Sequence, residues 1–270
     1  MRPDHGDFRL MVEIDGPGLR ERGEGLAREL GAAGTRLREP EPRGRGAKRT
    51  RGDELPPPEL VLRVGQVGLT LRLGTGPEVG ASSTALDPPE GHGPDPLWRA
   101  VLGGEFPVVD ATAGLGGDGF HLAARGAQVT LIERSRPIAV LLRDALERAR
   151  AGDLGPGAAS AARRVHLLVG DARDLLRGGA VPEERAGVVY LDPMFHDTGR
   201  RSLPPKGMAL FRALVGTDEE GSADLLAAAR ETASRRVVVK RHLRAPPLGE
   251  VTPSGDIRSR SVRYDLYPPV

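Results

Sequence analysis

Four short clusters carry residue types suited to handling a nucleotide. The first runs from Asp110 through Ala111-Thr112-Ala113 into Gly114, Gly116, Gly117, Asp118 and Gly119. Glycines allow a tight turn and close backbone approach to a ligand, and a helix beginning there offers free N–H groups. The second is Glu133-Arg134. An acid about twenty residues beyond such a loop accepts hydrogen bonds from ribose hydroxyls. The third is Gly170-Asp171-Ala172-Arg173-Asp174. Asp171 suits an adenine amino group, with the Ala172 N–H beside it, and suits a helix N-cap equally well. The fourth is Asp192-Pro193-Met194-Phe195. A carboxylate, a restrained carbonyl and an aromatic face within four residues fit an exocyclic amine on a flat base.

The elements that must position these clusters follow from apolar patterning. Strands are predicted at Pro107 to Ala111, Gln128 to Glu133, Val165 to Val169, Gly187 to Leu191 and Arg236 to Lys240. GVVYL is continuously apolar, as in a strand buried on both faces. Helices are predicted after the glycine loop, at Arg136 to Arg150 and at Ser222 to Ser234. Each cluster then falls at the carboxyl end of a strand, where open α/β sheets bind ligands. The expected fold is α/β, a Rossmann-like doubly wound, mostly parallel sheet. Glu250 to Thr252 and Ser259 to Tyr267 are expected to add an antiparallel pair.

Ahead of this domain, residues 1–94 read as a small α+β unit. A strand is expected at Phe8 to Ile14, a helix at Gly18 to Leu30 and a hairpin at Leu60 to Val64 with Val67 to Leu73. Residues 40–59 are rich in Pro, Gly and Arg, with little to bury, and are expected to be a mobile basic connection. The second domain is expected to occupy residues 95–270.

The 270 residues contain no cysteine, which excludes disulfides and thiolate chemistry. The six histidines show no ligand spacing, so no metal is expected. A net charge of +2 does not by itself point to nucleic acid. The first residues lack the apolar centre of a signal peptide and no span is long enough for a membrane. A cytoplasmic location is expected.

In order and content the four clusters resemble those of S-adenosylmethionine (SAM)-dependent methyltransferases. Specific segments go further. DATAGLGGDGF, ERSRPIAVLL, VVYLDPMF, RRVVVKR and RYDLY resemble the ribosomal RNA small-subunit methyltransferase J family over roughly Glu105 to Tyr267. Gly117 stands where that family usually has Arg, and His196 where it usually has Pro. The resemblance implies SAM as cofactor and N2 of a guanine in 16S rRNA as target, with ribosomal RNA or the small subunit as partner. It places the cofactor against Asp110, Gly114, Gly116, Gly117, Asp118, Glu133, Arg134, Asp171, Ala172 and Asp192. Asp192, Pro193 and Phe195 would hold the target base. Arg200, Arg201, Lys206, Lys240 and Arg241 are candidate RNA contacts, because basic side chains near a site neutralise phosphates. Two other readings share part of this pattern: an amino-methyltransferase acting on another nucleic acid or on protein, and a non-enzymatic RNA-binding protein.

Overall fold

In a computed structural model of the protein, residues 8–38, 59–86, 95–182, 186–193, 214 and 219–270 are described. The basic connection falls almost wholly outside these residues. The described residues divide into two compact units, residues 8–80 with Leu214 in one and residues 81–193 with 219–270 in the other.

The first unit holds β1 (Arg9–Ile14), α1 (Arg20–Leu30), β2 (Gly34–Leu37), β3 (Glu59–Gly65) and β4 (Gly68–Leu73). Its sheet has the order β2-β1-β3-β4. β1 runs parallel to both neighbours, and β3 and β4 form a hairpin closed by Gln66-Val67. Leu26 and Leu30 are the buried face of α1. Ion pairs link Glu13 to Arg36 and Arg72, and Arg63 to Asp15 and Glu78. β2 was not anticipated, because GTRL has neither an apolar run nor a buried alternation.

The second unit carries the four clusters. Its elements are α2 (Pro96–Ala100), β5 (Val108–Asp110), α3 (Gly117–Ala124), β6 (Val129–Glu133), α4 (Arg136–Ala151), α5 (Pro156–Ala162) and β7 (Val165–Val169). Then come α6 (Ala172–Arg177), β8 (Val188–Leu191), α7 (Glu219–Thr232), β9 (Arg236–His242), β10 (Gly255–Arg258) and β11 (Val262–Tyr267). The sheet order is β10-β11-β9-β8-β5-β6-β7. The five strands from β7 to β9 are parallel, and β11 is antiparallel to both β9 and β10. This is the doubly wound α/β architecture expected. The tail pair is antiparallel as expected, but its first strand is Gly255–Arg258 rather than Glu250 to Thr252, because Glu250 ends a short 3-10 helix (Leu248–Glu250). α5 escaped prediction because its buried face is alanine alone.

Helices cover both faces of this sheet, so its central strands β5, β6 and β8 are buried along their whole length. Val108, Leu131, Tyr190 and Val238 lie in one core with Phe120, Leu122 and Leu142. Val109, Ile132, Val189, Leu191 and Val239 lie in the other with Leu176, Leu226 and Ala229. The chain moves from β5 outward to β6 and β7, then crosses back to β8 and β9. The order therefore reverses between β5 and β8, which opens a crevice at their carboxyl ends.

Two glycines bring the loop tightly onto this frame. Gly116 caps α3 in the left-handed region, at φ 81°. Gly119 lies in the first turns of α3, and a Cβ there would stand 2.3 Å from Leu131 Cδ2 and 3.1 Å from Asp110 Oδ2. The helix thus rests directly on β5 and β6. Gly119→Ala is expected to lower stability by about 1–3 kcal/mol, the usual cost of overpacking. Urea unfolding checks this, and an unchanged midpoint would mean that α3 is free to shift.

Candidate active site

The switch point gathers four charged side chains from four elements. Asp110 ends β5 and is 2% exposed. Its Oδ1 accepts from the N–H of Thr112 at 3.2 Å. Asp118 lies in the first turn of α3. Its Oδ2 accepts from the Tyr190 hydroxyl at 2.5 Å and from Lys240 Nζ at 2.7 Å. Asp192 follows β8, and its Oδ2 accepts from the same Nζ at 2.9 Å. Thr112 closes the crevice: its hydroxyl oxygen accepts from the Asp192 N–H at 2.6 Å. The ends of β5, α3, β8 and β9 are thereby joined.

Burial and like charge set the protonation of this cluster. Burial pushes the Asp110 carboxyl up to about 8, and the nearby Asp118 and Asp192 push in the same direction. Burial also raises Asp192, against the pull of Lys240. The Asp192 side chain keeps 42% of its surface while protein crowds it. Both facts hold together if it faces an opening on one side only. Burial works against the Lys240 ammonium, yet Asp192 and Asp118 hold its pKa above the ordinary lysine value. One lysine therefore serves two carboxylates, and a proton neutralises the third.

Glu133, at the end of β6, closes the glycine loop from the other side. Its Oε2 accepts from the Gly114 N–H at 2.9 Å and its Oε1 from the Ser135 N–H at 2.7 Å. A carboxylate offers about four acceptor positions. These two bonds leave capacity on each oxygen for a diol. Burial raises its pKa to about 7, and the backbone donors of Ser135, Gly114 and Arg134, with the Arg134 charge, oppose that. Gly116 is buried and Gly117 begins α3, while Arg134 is exposed.

Asp171 does what the N-cap reading predicted. It accepts from the Arg173 N–H at 2.9 Å, and from the Arg173 guanidinium at 2.9 and 2.7 Å. That arginine holds its carboxyl below the usual range. Ala172 opens α6, so its N–H has no acceptor within the helix. The Gly170 N–H donates to the Glu133 carbonyl at 3.0 Å and sets this turn beside the second cluster.

Pro193 is buried. Phe195, Arg200, Arg201 and Lys206 lie outside the described residues. Lys240 turns inward to the carboxylates. Arg241 is 4% exposed, and its Nε and Nη2 donate to the Pro246 carbonyl at 2.9 and 2.5 Å. Arg263 on β11 completes this corner. It donates to the carbonyls of His242, Leu243 and Ala245 at 3.0, 2.8 and 2.7 Å, and its Nε pairs with Asp265 at 2.7 Å. Two buried guanidiniums thus fix the loop after β9, leaving His242, Leu243 and Arg244 exposed.

Sequence reasoning gave no part to Thr112 or Tyr190. Tyr190 carried a signal, as the one hydroxyl in an otherwise aliphatic buried strand, where a phenol needs a partner. A histidine–carboxylate contact was also missed. His121 Nε2 lies 2.6 Å from Asp95 Oδ2, one helical turn beyond Asp118. Among the described residues no cluster suits a metal, and no helix is long and apolar enough to cross a membrane.

The raised carboxyls have a consequence for stability. Asp110 and Glu133 keep protons in the folded protein at a pH where the unfolded chain, near 3.8 and 4.5, has lost them. The folded state then binds more protons, so their contribution falls as pH rises from those values to about 8 and about 7. The stability advantage of wild type over Asp110→Asn is expected to shrink by about 1.4 kcal/mol per pH unit between about pH 5 and 7. Urea titrations at several pH values measure it. A pH-independent difference would mean that Asp110 is ionised throughout.

Comparison with known proteins completes the picture. Residues 95–269 match the family described as "Putative SAM-dependent methyltransferase". Ribosomal RNA small subunit methyltransferase J of Pseudomonas paraeruginosa is 50% identical over 163 residues, 60% of this chain and 59% of that protein. The chain thus spans less than two thirds of that relative's length. The protein of the same name from Pseudomonas fluorescens is 43% identical over 227 residues, 78% of this chain and 83% of its own. A SAM-dependent methyltransferase from Neisseria gonorrhoeae superposes with TM-score 0.65 at 27% identity, covering 96% of each chain. The chain belongs to the ribosomal RNA small subunit methyltransferase J family of SAM-dependent methyltransferases.

Proposed function

We propose that this protein methylates the exocyclic N2 of a guanine in small-subunit ribosomal RNA, with SAM as methyl donor. The observation that carries the reading is the placement of Asp192. Its backbone is fixed by Thr112 at the switch point, and its carboxylate stands beside the glycine loop, open on one side. The names of the relatives supply the substrate class.

The residues fit the cofactor. Glu133 has acceptor capacity left for ribose hydroxyls while it holds Gly114. Gly117 and Asp118 begin α3 and offer free N–H groups. Asp118 supplies negative charge for the methionine ammonium, and Asp110 orders the loop through the Thr112 N–H. The Ala172 N–H is available for the adenine ring, whereas Asp171 is engaged by Arg173. When bound, SAM would supply an electrophilic methyl group for the amine lone pair, with Glu133 and the Gly117-Asp118 turn holding it.

The chain's own contribution is positioning and charge. Asp192 accepts from the target amine and aims its lone pair, and the Pro193 carbonyl takes the second N–H. Phe195, by its place in the tetrapeptide, offers a stacking face to the base. A guanine in a helix hides this amine, so the target enters single-stranded or flipped out. Arg200, Arg201 and Lys206 are the basic residues assigned here to RNA phosphates; Arg241 is given a structural part. The setting would be the cytoplasm, where ribosomal RNA is made.

Two measurements test this. Asp192→Ala is expected to cut single-turnover methylation of 16S rRNA by on the order of 10²-fold or more. A rate within a few-fold of wild type would make the tetrapeptide structural, and methyl found elsewhere than on guanine N2 would redirect the assignment. Glu133→Ala is expected to weaken SAM binding by about 1.5–3 kcal/mol, the range for charge-assisted bonds. Calorimetry on the folded variant decides, and unchanged affinity would remove Glu133 from the cofactor site.

A further inference from the structure

Lys240 looks like the first of two basic residues at a strand end, suited to a phosphate. The structure gives it different neighbours. Its Nζ lies 2.7 Å from Asp118 Oδ2 and 2.9 Å from Asp192 Oδ2. The side chain is only 24% exposed. Across the sheet it sits opposite Tyr264 of β11, which is 7% exposed. Asp118 is held a second time by Tyr190, so the ammonium is anchored on the α3 side.

The consequence falls on Asp192. Its backbone N–H is fixed by Thr112 and its Oδ2 by Lys240. Among the described residues, Oδ1 has no donor. The carboxylate therefore has one oxygen committed to Lys240, while 42% of the side-chain surface stays open. An acceptor so prepared selects an N–H donor and fixes its approach, which is what an attacking amine requires.

We propose that Lys240 is a positioning residue for methyl transfer, holding Oδ2 of Asp192 so that Oδ1 faces the substrate amine, and tying that carboxylate to Asp118 at the start of α3. This rests on the amino-methyltransferase reading of the site. It assigns Lys240 to the reacting end of the crevice in place of the RNA backbone. Lys240 also favours the ionised form of Asp192 against the burial that raises its pKa, and only an ionised carboxylate is a pure acceptor. Facing this pair are Asp110, Asp118, Tyr190 and Tyr264, so lysine is the single cation among the described groups that influence Asp192.

The test compares full-length wild type, Lys240→Met and Lys240→Arg. SAM affinity is measured by calorimetry, and single-turnover methylation of 16S rRNA as a function of RNA, salt and pH. For Lys240→Met, the rate at saturating RNA is expected to fall by roughly 10–100-fold, a loss of orientation. SAM affinity should stay within about threefold. RNA half-saturation and its salt dependence should not move, because no phosphate contact is lost. The acid limb of the pH–rate profile should shift upward, since Asp192 loses its cation. Lys240→Arg should recover part of the rate and the wild-type limb. It also keeps the test open if the methionine variant does not fold.

Wild-type turnover in Lys240→Met would overturn the proposal. So would a loss confined to RNA half-saturation with a shallower salt slope, which would make Lys240 a phosphate contact. Asp192→Ala in the same assay separates the levels. If it is active, the reading of the site fails; if it is inactive while Lys240→Met is normal, only the positioning role fails.

Discussion

Everything at the crevice depends on how three aspartates share one low-dielectric corner. Like charges at such spacing raise one another's energy, and burial adds to it. The protein resolves this with two devices. Asp110, deepest and 2% exposed, holds a proton. Asp118 and Asp192 share the ammonium of Lys240. Neither device works alone, because one lysine cannot neutralise three carboxylates. The arrangement also explains why Tyr190 interrupts an aliphatic strand. Its hydroxyl reaches Asp118 from within the core and gives that carboxylate a second donor.

The glycine loop obeys a related constraint. Glu133 grips Gly114, Gly116 caps α3 in the left-handed region, and Gly119 lets the helix touch β6. The loop is thereby shaped before any ligand arrives, which reduces the ordering that binding must bring about.

Sheet and strand ends were legible because they are local. VVD, VTLIE, VVYL and RVVVK are runs whose apolar content marks buried strands, and the polar residues after them mark the binding edge. The alternatives for Asp171 stand level in sequence, and in the structure it caps α6 through the Arg173 N–H while the Arg173 guanidinium reaches back to it. What sequence left hidden is non-local. Lys240 and Asp118 are separated by 122 positions, and Tyr190 and Asp118 by 72. No window of sequence carries such a contact. Lys240 and Arg241 look alike in sequence, yet strand alternation sends one to the carboxylates and the other to the Pro246 carbonyl. α5 and β2 were hidden for another reason: alanine and GTRL have too little apolar contrast to produce a period.

The corner built by Arg241 and Arg263 bears on how such a site changes over time. Both guanidiniums hold the loop through backbone carbonyls, those of His242, Leu243, Ala245 and Pro246. Every amino acid supplies that carbonyl. The path of the loop is therefore insured against substitution of the exposed side chains at His242, Leu243 and Arg244, which lie just beyond Lys240 at the same sheet edge. Shape and address are stored in different residues. A lineage can rewrite the outward face beside its reacting carboxylate, one side chain at a time, while two arginines keep the scaffold constant.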